Sequence, residues 1–224
     1  MPRLDPHIFF GLDLGRRRDP AAIAILERSH TPTGRRDPAT YEPELCLRFV
    51  LRHVEAFPLG APYFEIVRRV RALIHENHAA ASGNPIPAHW PLSLGHAFNP
   101  RKTLVVDASG VGAPIVEAFQ AAKLKATLIP ITITASGHPH PDPHGGYLVP
   151  RRDLISNLRI LMERGLLKIP AGIHSKEALT KELINLKDHQ GAHHDDLAIG
   201  LTLAAWESTR RIRSLIEEQS EVRA

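Results

Sequence analysis

Short apolar runs, separated by polar segments that contain Pro or Gly, set the secondary structure predicted for this chain. Residues 7–14, 21–26 and 45–53 are apolar runs of strand length. With short connections they predict an antiparallel three-strand meander. The segment from Ser29 to Glu44 is rich in Pro, Thr and Arg, so it predicts an exposed loop.

The rest of the chain alternates between strand-like and helix-like spacing of its apolar residues. Strands alternating with helices after a meander predict an α/β fold, a mixed sheet flanked by helices. The stretch 136–146 is too rich in Pro, His and Gly for regular structure. The pattern predicts strands at 104–107 and 126–133, and helices at 64–74, 111–124, 151–165, 175–187 and 194–217.

Three acidic sites stand at the ends of these elements. Asp13 ends the first strand, Asp107 ends a later one, and Asp195 and Asp196 open the last helix. A single Asp at a helix start often only caps the helix. Carboxylates that converge, however, make a hard, oxygen-rich site for Mg²⁺ or Mn²⁺. Two such ions suit phosphodiester hydrolysis, because they clamp the attacking and leaving oxygens.

Small residues accompany these acids. Gly11 and Gly15 flank Asp13 and let backbone or phosphate approach closely. The last helix is rich in Ala and Gly, so it can pack tightly on a sheet and bring its first turn to the strand ends. Asp196, Gly200 and Leu203 share one face of that helix. Ser109, in the turn after Asp107, is predicted either to shape a phosphate site or simply to cap a helix.

Composition excludes several classes of protein. The chain has 224 residues, 43% of them hydrophobic, which suits a globular fold. Its net charge of +4 permits a nucleic-acid partner. Cys46 is the only cysteine, which excludes an intramolecular disulfide and a cysteine zinc site. No P-loop motif is present. The N-terminus lacks a signal-peptide pattern and no apolar run reaches membrane-spanning length, so we expect no membrane association.

Six motifs, in their order along the chain, resemble those of the nuclease domain of tailed-phage terminase large subunits, in the ribonuclease H-like superfamily. The resemblance covers about residues 8–206. It implies that the first and fourth strands are neighbours and that residues 1–206 form the nuclease domain, with 207–224 a charged helical extension. The motifs are G-L-D-L-G at 11–15 with D-P-A-A-I at 19–23, F-P-L-G at 57–60, V-D-A-S-G-V-G at 106–112, V-P-R-R-D-L at 149–154, L-K-I-P-A at 167–171 and H-D-D-L-A at 194–198.

The resemblance implies a metal-dependent DNA endonuclease that uses two Mg²⁺ or Mn²⁺ ions. Asp13 would bridge both ions, Asp107 would hold one, and Asp195 or Asp196 the other, with Asp196 preferred. His193 or His194 would steer water or the scissile phosphate. The residues expected to contact the DNA backbone are Arg16, Arg17, Arg151, Arg152 and Lys168.

Terminases of this kind carry an ATPase motor ahead of the nuclease, whereas this chain begins at the nuclease motifs. We therefore expect a stand-alone, prophage-derived nuclease in the cytoplasm of a bacterial or phage-infected cell. A separate terminase ATPase or small subunit would be its partner in DNA packaging. Two alternatives stay open: a DNA-binding or scaffold remnant that does not cleave, and an ATPase lobe of the actin or sugar-kinase type.

Overall fold

The computed structural model describes residues 7–15, 19–75, 100–109, 113–187 and 195–221. The elements in this part of the chain are β1 His7–Asp13, β2 Ala22–Arg36, β3 Pro43–Ala56, α1 Tyr63–His75, β4 Arg101–Asp107, α2 Ala113–Ala121, β5 Thr127–Thr134, β6 His140–Pro141, β7 Tyr147–Pro150, α3 Arg151–Glu163, β8 Leu167–Lys168, α4 Lys176–Asn185 and α5 Asp196–Glu221.

The strands form one mixed sheet in the order β6-β7-β5-β4-β1-β2-β3-β8. Strands β1, β2 and β3 are the predicted antiparallel meander. Strand β4 lies parallel to β1, and β5 parallel to β4. The predicted mixed α/β sheet is therefore confirmed, and its order is consistent with a ribonuclease H-like fold. The adjacency of the first and fourth strands, which the motif resemblance implied, is also present.

Helices cover both faces of this sheet, because successive strand residues point to opposite sides. Phe9 belongs to one buried cluster, which also contains apolar side chains of α3, α4 and α5. Phe10 belongs to the other, with side chains of α1 and α2. The central strand β1 is buried along its whole length. Its C-terminal end, where Asp13 lies, is thus enclosed by structure on both sides.

The prediction of a loop between Ser29 and Glu44 was wrong in one respect. Strands β2 and β3 continue into this segment as a paired ribbon, with Thr31 opposite Cys46 and Arg36 opposite Pro43. Cross-strand backbone bonds keep it extended although its outer side chains are exposed. Three further strands, β6, β7 and β8, were not predicted, since runs of two to four residues are too short to show a period.

Helix α5 runs without a break past residue 206 to Glu221. Glu207 and Ser208, just beyond that point, are fully buried. The separation of 207–224 as an extension stays a prediction. Within the described residues, no helix combines the length and the apolar character that crossing a bilayer requires.

Candidate metal centre

The parallel pairing of β1 with β4 places two of the predicted acids side by side. Leu12 pairs with Val106 in this register. Asp13 and Asp107 each follow by one residue, so they end neighbouring strands at the same edge of the sheet. In both strands a run of buried apolar residues leads up to the acid. The local sequence therefore forms the strands, and the register between them makes the pair.

Helix α5 reaches this edge because its backbone touches β1 directly. A Cβ added to Gly11 would lie only 1.9 Å from the carbonyl oxygen of Gly200 and 2.7 Å from the backbone nitrogen of Ala204. No side chain fits between the two elements at this point. Gly200 lies one helical turn after Asp196, so the close contact holds the first turn of α5 beside the end of β1. The tight packing predicted from the small residues is confirmed.

The carboxyl group of Asp13 is strongly perturbed by its surroundings. It is buried, with 9% of its surface exposed. Its burial raises the pKa of its carboxyl well above the ordinary value, and repulsion from Asp107, Asp196 and Asp195 raises it further. The guanidinium of Arg151 opposes this rise. The three other acids thus lie close enough to Asp13 to repel its charge, and a cation placed beside Asp13 would relieve that repulsion.

Ser109 holds Asp107 in place. The Ser109 backbone N–H donates to Oδ1 of Asp107 at 2.8 Å, and the Ser109 hydroxyl donates to the same oxygen. The hydroxyl oxygen in turn accepts the backbone N–H of Ile133 at 2.6 Å. Because that N–H can only donate, the hydroxyl proton points to Asp107. The Ser109 side chain therefore links the turn after β4 to the end of β5.

The two adjacent aspartates have different surroundings. Asp195 forms an ion pair with Arg151, whose Nε also donates to the backbone oxygen of Lys187 at 3.2 Å. Arg151 is only 8% exposed, so this pair lies largely inside the protein. Asp196, also 8% exposed, begins α5, and its charge raises the pKa of Asp13 more than that of Asp195 does. The structure therefore separates two residues that the sequence leaves equivalent.

The donor set suits a hard divalent cation, but its oxygens are not arranged around one. In the part of the chain that the structure describes, no three side chains of His, Cys, Asp or Glu are grouped so as to hold a metal ion. Repulsion acts over several ångströms, whereas coordination needs oxygens within about 2.0–2.6 Å of the ion. Asp107 and Asp195 each direct an oxygen to Ser109 and Arg151 instead.

Of the other predicted site residues, only Arg152 and Lys168 fall within the described part of the chain. Arg16, Arg17, His193 and His194 lie outside the described residues. Arg152 is exposed, and its Nη2 donates to the backbone oxygen of Gly137 at 2.8 Å.

Lys168 is exposed on β8, which pairs with Phe49 and Val50 of β3. The end of β3 nearest the acids is Ala56, because Ala56 pairs with Ala22 and Ala22 with Asp13. Val50 lies six residues before that end. At a rise of about 3.3 Å per residue, Lys168 is about 20 Å from the acids along the strand direction.

Glu182 is a member of the site that the sequence analysis missed. Its Oε2 accepts the backbone N–H of Ala198, in the first turn of α5, at 2.9 Å. Burial raises the pKa of Glu182 to about 7, and the charges of Asp196 and Asp195 add to the rise. A signal was present in the sequence: Glu182 shares one helical stripe with Leu179 and Leu186, both buried. A carboxylate on a buried stripe requires a polar partner.

Comparison with known proteins gives a likeness in structure and none in sequence. No protein-family model matches the chain, and no curated protein matches it either. Among solved structures, it is similar to the nuclease domain of the human cytomegalovirus terminase in a manganese-soaked form. The two chains are 16% identical, with a TM-score of 0.48, over 88% of this chain and 82% of the other.

Proposed function

We propose that this protein is a metal-dependent endonuclease that hydrolyses DNA phosphodiester bonds at the edge formed by β1, β4 and α5. The observation that carries the proposal is the state of Asp13. It is buried at a strand end, and its pKa is raised first by that burial and then by the like charges of Asp107, Asp196 and Asp195. Folding does not favour a cluster of like charges, so its presence at the ends of two central strands suggests a role in binding or catalysis.

Asp13, Asp107 and Asp196 are the residues proposed to hold Mg²⁺ or Mn²⁺. Asp13 is central, because every other acid of the cluster acts on it. When bound, a pair of such ions supplies Lewis-acid stabilisation of a phosphate and lowers the pKa of a water. Ser109 restricts how Asp107 can turn, since it fixes one of its oxygens. Without metal ions the carboxylates would repel the phosphate of DNA, so substrate binding at this site depends on the neutralisation of their charge.

Asp195 is proposed to act through Arg151 rather than as a ligand. An ion pair with a buried guanidinium keeps one carboxylate oxygen occupied. Asp196 is buried at the start of α5, and of the two aspartates its charge raises the pKa of Asp13 more. Asp196 is therefore the third proposed ligand. His194 stays a candidate for steering water, and DNA packaging with a separate ATPase stays a prediction of the motif resemblance.

The direct test is plasmid cleavage by the purified protein with Mn²⁺, Mg²⁺ or EDTA. We expect nicking and linearisation with either ion and none with EDTA. Asp13→Asn and Asp107→Asn should each abolish cleavage, whereas Glu163→Gln, an exposed acid on α3, should leave it unchanged. DNA binding without cleavage in the wild type would favour the non-cleaving remnant. Binding of ATP in place of DNA would favour the ATPase lobe.

A further inference from the structure

The first turn of α5 needs acceptors for its backbone N–H groups, as every helix start does. Asp195, the residue before the helix, is where a side-chain cap is usually found. Its backbone oxygen accepts the N–H of Ile199 at 2.8 Å and so begins the helix. Its carboxylate, however, forms the ion pair with Arg151. The usual cap of α5 is thus engaged elsewhere.

Glu182 supplies the missing cap from a different helix. It lies in α4, and its Oε2 accepts the Ala198 N–H at 2.9 Å. The backbone of Leu197 also acts on this carboxylate as a hydrogen-bond donor. Buried Leu179 and Leu186 anchor α4 on either side of Glu182, so the carboxylate is held against the start of α5. This contact joins residues 16 positions apart in the chain.

We infer that Glu182 is a positioning residue that caps α5 and thereby leaves Asp195 to Arg151 and Asp196 to the metal site. The inference rests on the proposed function for the role of Asp196. Its physical basis is competition for acceptors. If Glu182 is removed, Asp195 is the residue whose position before the helix suits it to cap the Leu197 and Ala198 N–H groups. Capping by Asp195 would break its pair with Arg151 and turn the first residues of α5 away from Asp13.

The test compares Glu182→Ala with Glu182→Gln, because Gln keeps an oxygen acceptor and loses only the charge. Glu177→Ala, an exposed acid on the same helix, is the control. In metal-free protein, NMR should show about tenfold faster amide exchange at Ala198 and loss of the protected Arg151 guanidinium signal in Glu182→Ala. Titration calorimetry should show Mn²⁺ affinity lowered by about 10- to 100-fold. Glu182→Gln should stay within about threefold of the wild type in each measurement.

Two outcomes would overturn the inference. Unchanged Mn²⁺ affinity in a Glu182→Ala protein whose Ala198 amide has become exposed would make the cap merely structural. Equal damage from Gln and Ala would mean that the charge matters and that Glu182 is not acting as a cap. Wild-type protein that binds no Mn²⁺ would instead refute the proposed function. The metal-free NMR signals would then decide alone, and an intact Arg151 signal in Glu182→Ala would overturn the capping role as well.

Discussion

Asp13→Asn should stabilise the metal-free protein at neutral pH, although it removes the proposed central ligand. The Asp13 carboxyl has a pKa raised well above its unfolded value of 3.8, first by burial and then by the neighbouring acids. An acid whose pKa is raised by folding binds its proton more tightly in the folded state. Stability is therefore lost as the pH rises from the unfolded pKa through the folded one. Asn cannot ionise, so the variant escapes this loss.

The size of the effect follows from that shift. Each pKa unit is worth about 1.4 kcal/mol, and 1 kcal/mol moves the Tm of a domain of this size by about 2–4 °C. The variant should thus melt about 3–6 °C higher for each unit by which the Asp13 pKa is raised. If Asn loses a hydrogen bond, about 1 kcal/mol of that stabilisation is offset. Below the unfolded pKa the advantage should vanish, since both forms are then neutral at this position.

Differential scanning calorimetry in EDTA between pH 4 and 8 measures this, with Glu163→Gln as the exposed control. Saturating Mn²⁺ should reverse the order. A ligand at 100 times its Kd stabilises the wild type by about 2.7 kcal/mol, and the variant should lose most of that gain. A lower Tm for Asp13→Asn in EDTA at pH 7.5 would refute the reasoning. So would an advantage that persists unchanged at pH 4.

The remaining predictions concern the helix contact, the paired aspartates and DNA. Gly11→Ala should destabilise the protein by about 3 kcal/mol or more, because its Cβ would meet backbone at 1.9 Å. Gly172→Ala is the control, since a Cβ there meets nothing within 4 Å. Equal melting temperatures of the two variants would contradict the contact between β1 and α5. Asp196→Asn should abolish Mn²⁺ binding, while Asp195→Asn should weaken it by only about 10- to 100-fold; equal, small losses would place the third ligand elsewhere. Replacing Arg152 and Lys168 together should weaken binding to all DNA sequences alike and reduce the slope of log Kd against log salt concentration by about 2. DNA binding that does not change with salt concentration would refute a contact with the phosphate backbone.

Much of the fold and two of the acids were predictable because their signals are local. The apolar runs that end at Asp13 and Asp107 are buried strands, and the small residues of α5 do permit close packing. A strand's hydrophobic pattern reflects which faces are buried, and that pattern is visible without knowing the neighbours. The ribbon at 29–44 was not predictable in this way. Its exposed residues carry no burial pattern, and its pairing across the hairpin keeps it extended.

The assignment within the site was decided only by the tertiary structure. Sequence places Asp195 and Asp196 side by side and puts Arg151 among basic residues expected on the surface. Folding buries Arg151 and pairs it with Asp195, a residue 44 positions away. It also brings Glu182 to the first turn of α5. The charge and hydrogen-bond partners of a carboxylate depend on which elements pack around it, and no local spacing encodes contacts over such separations.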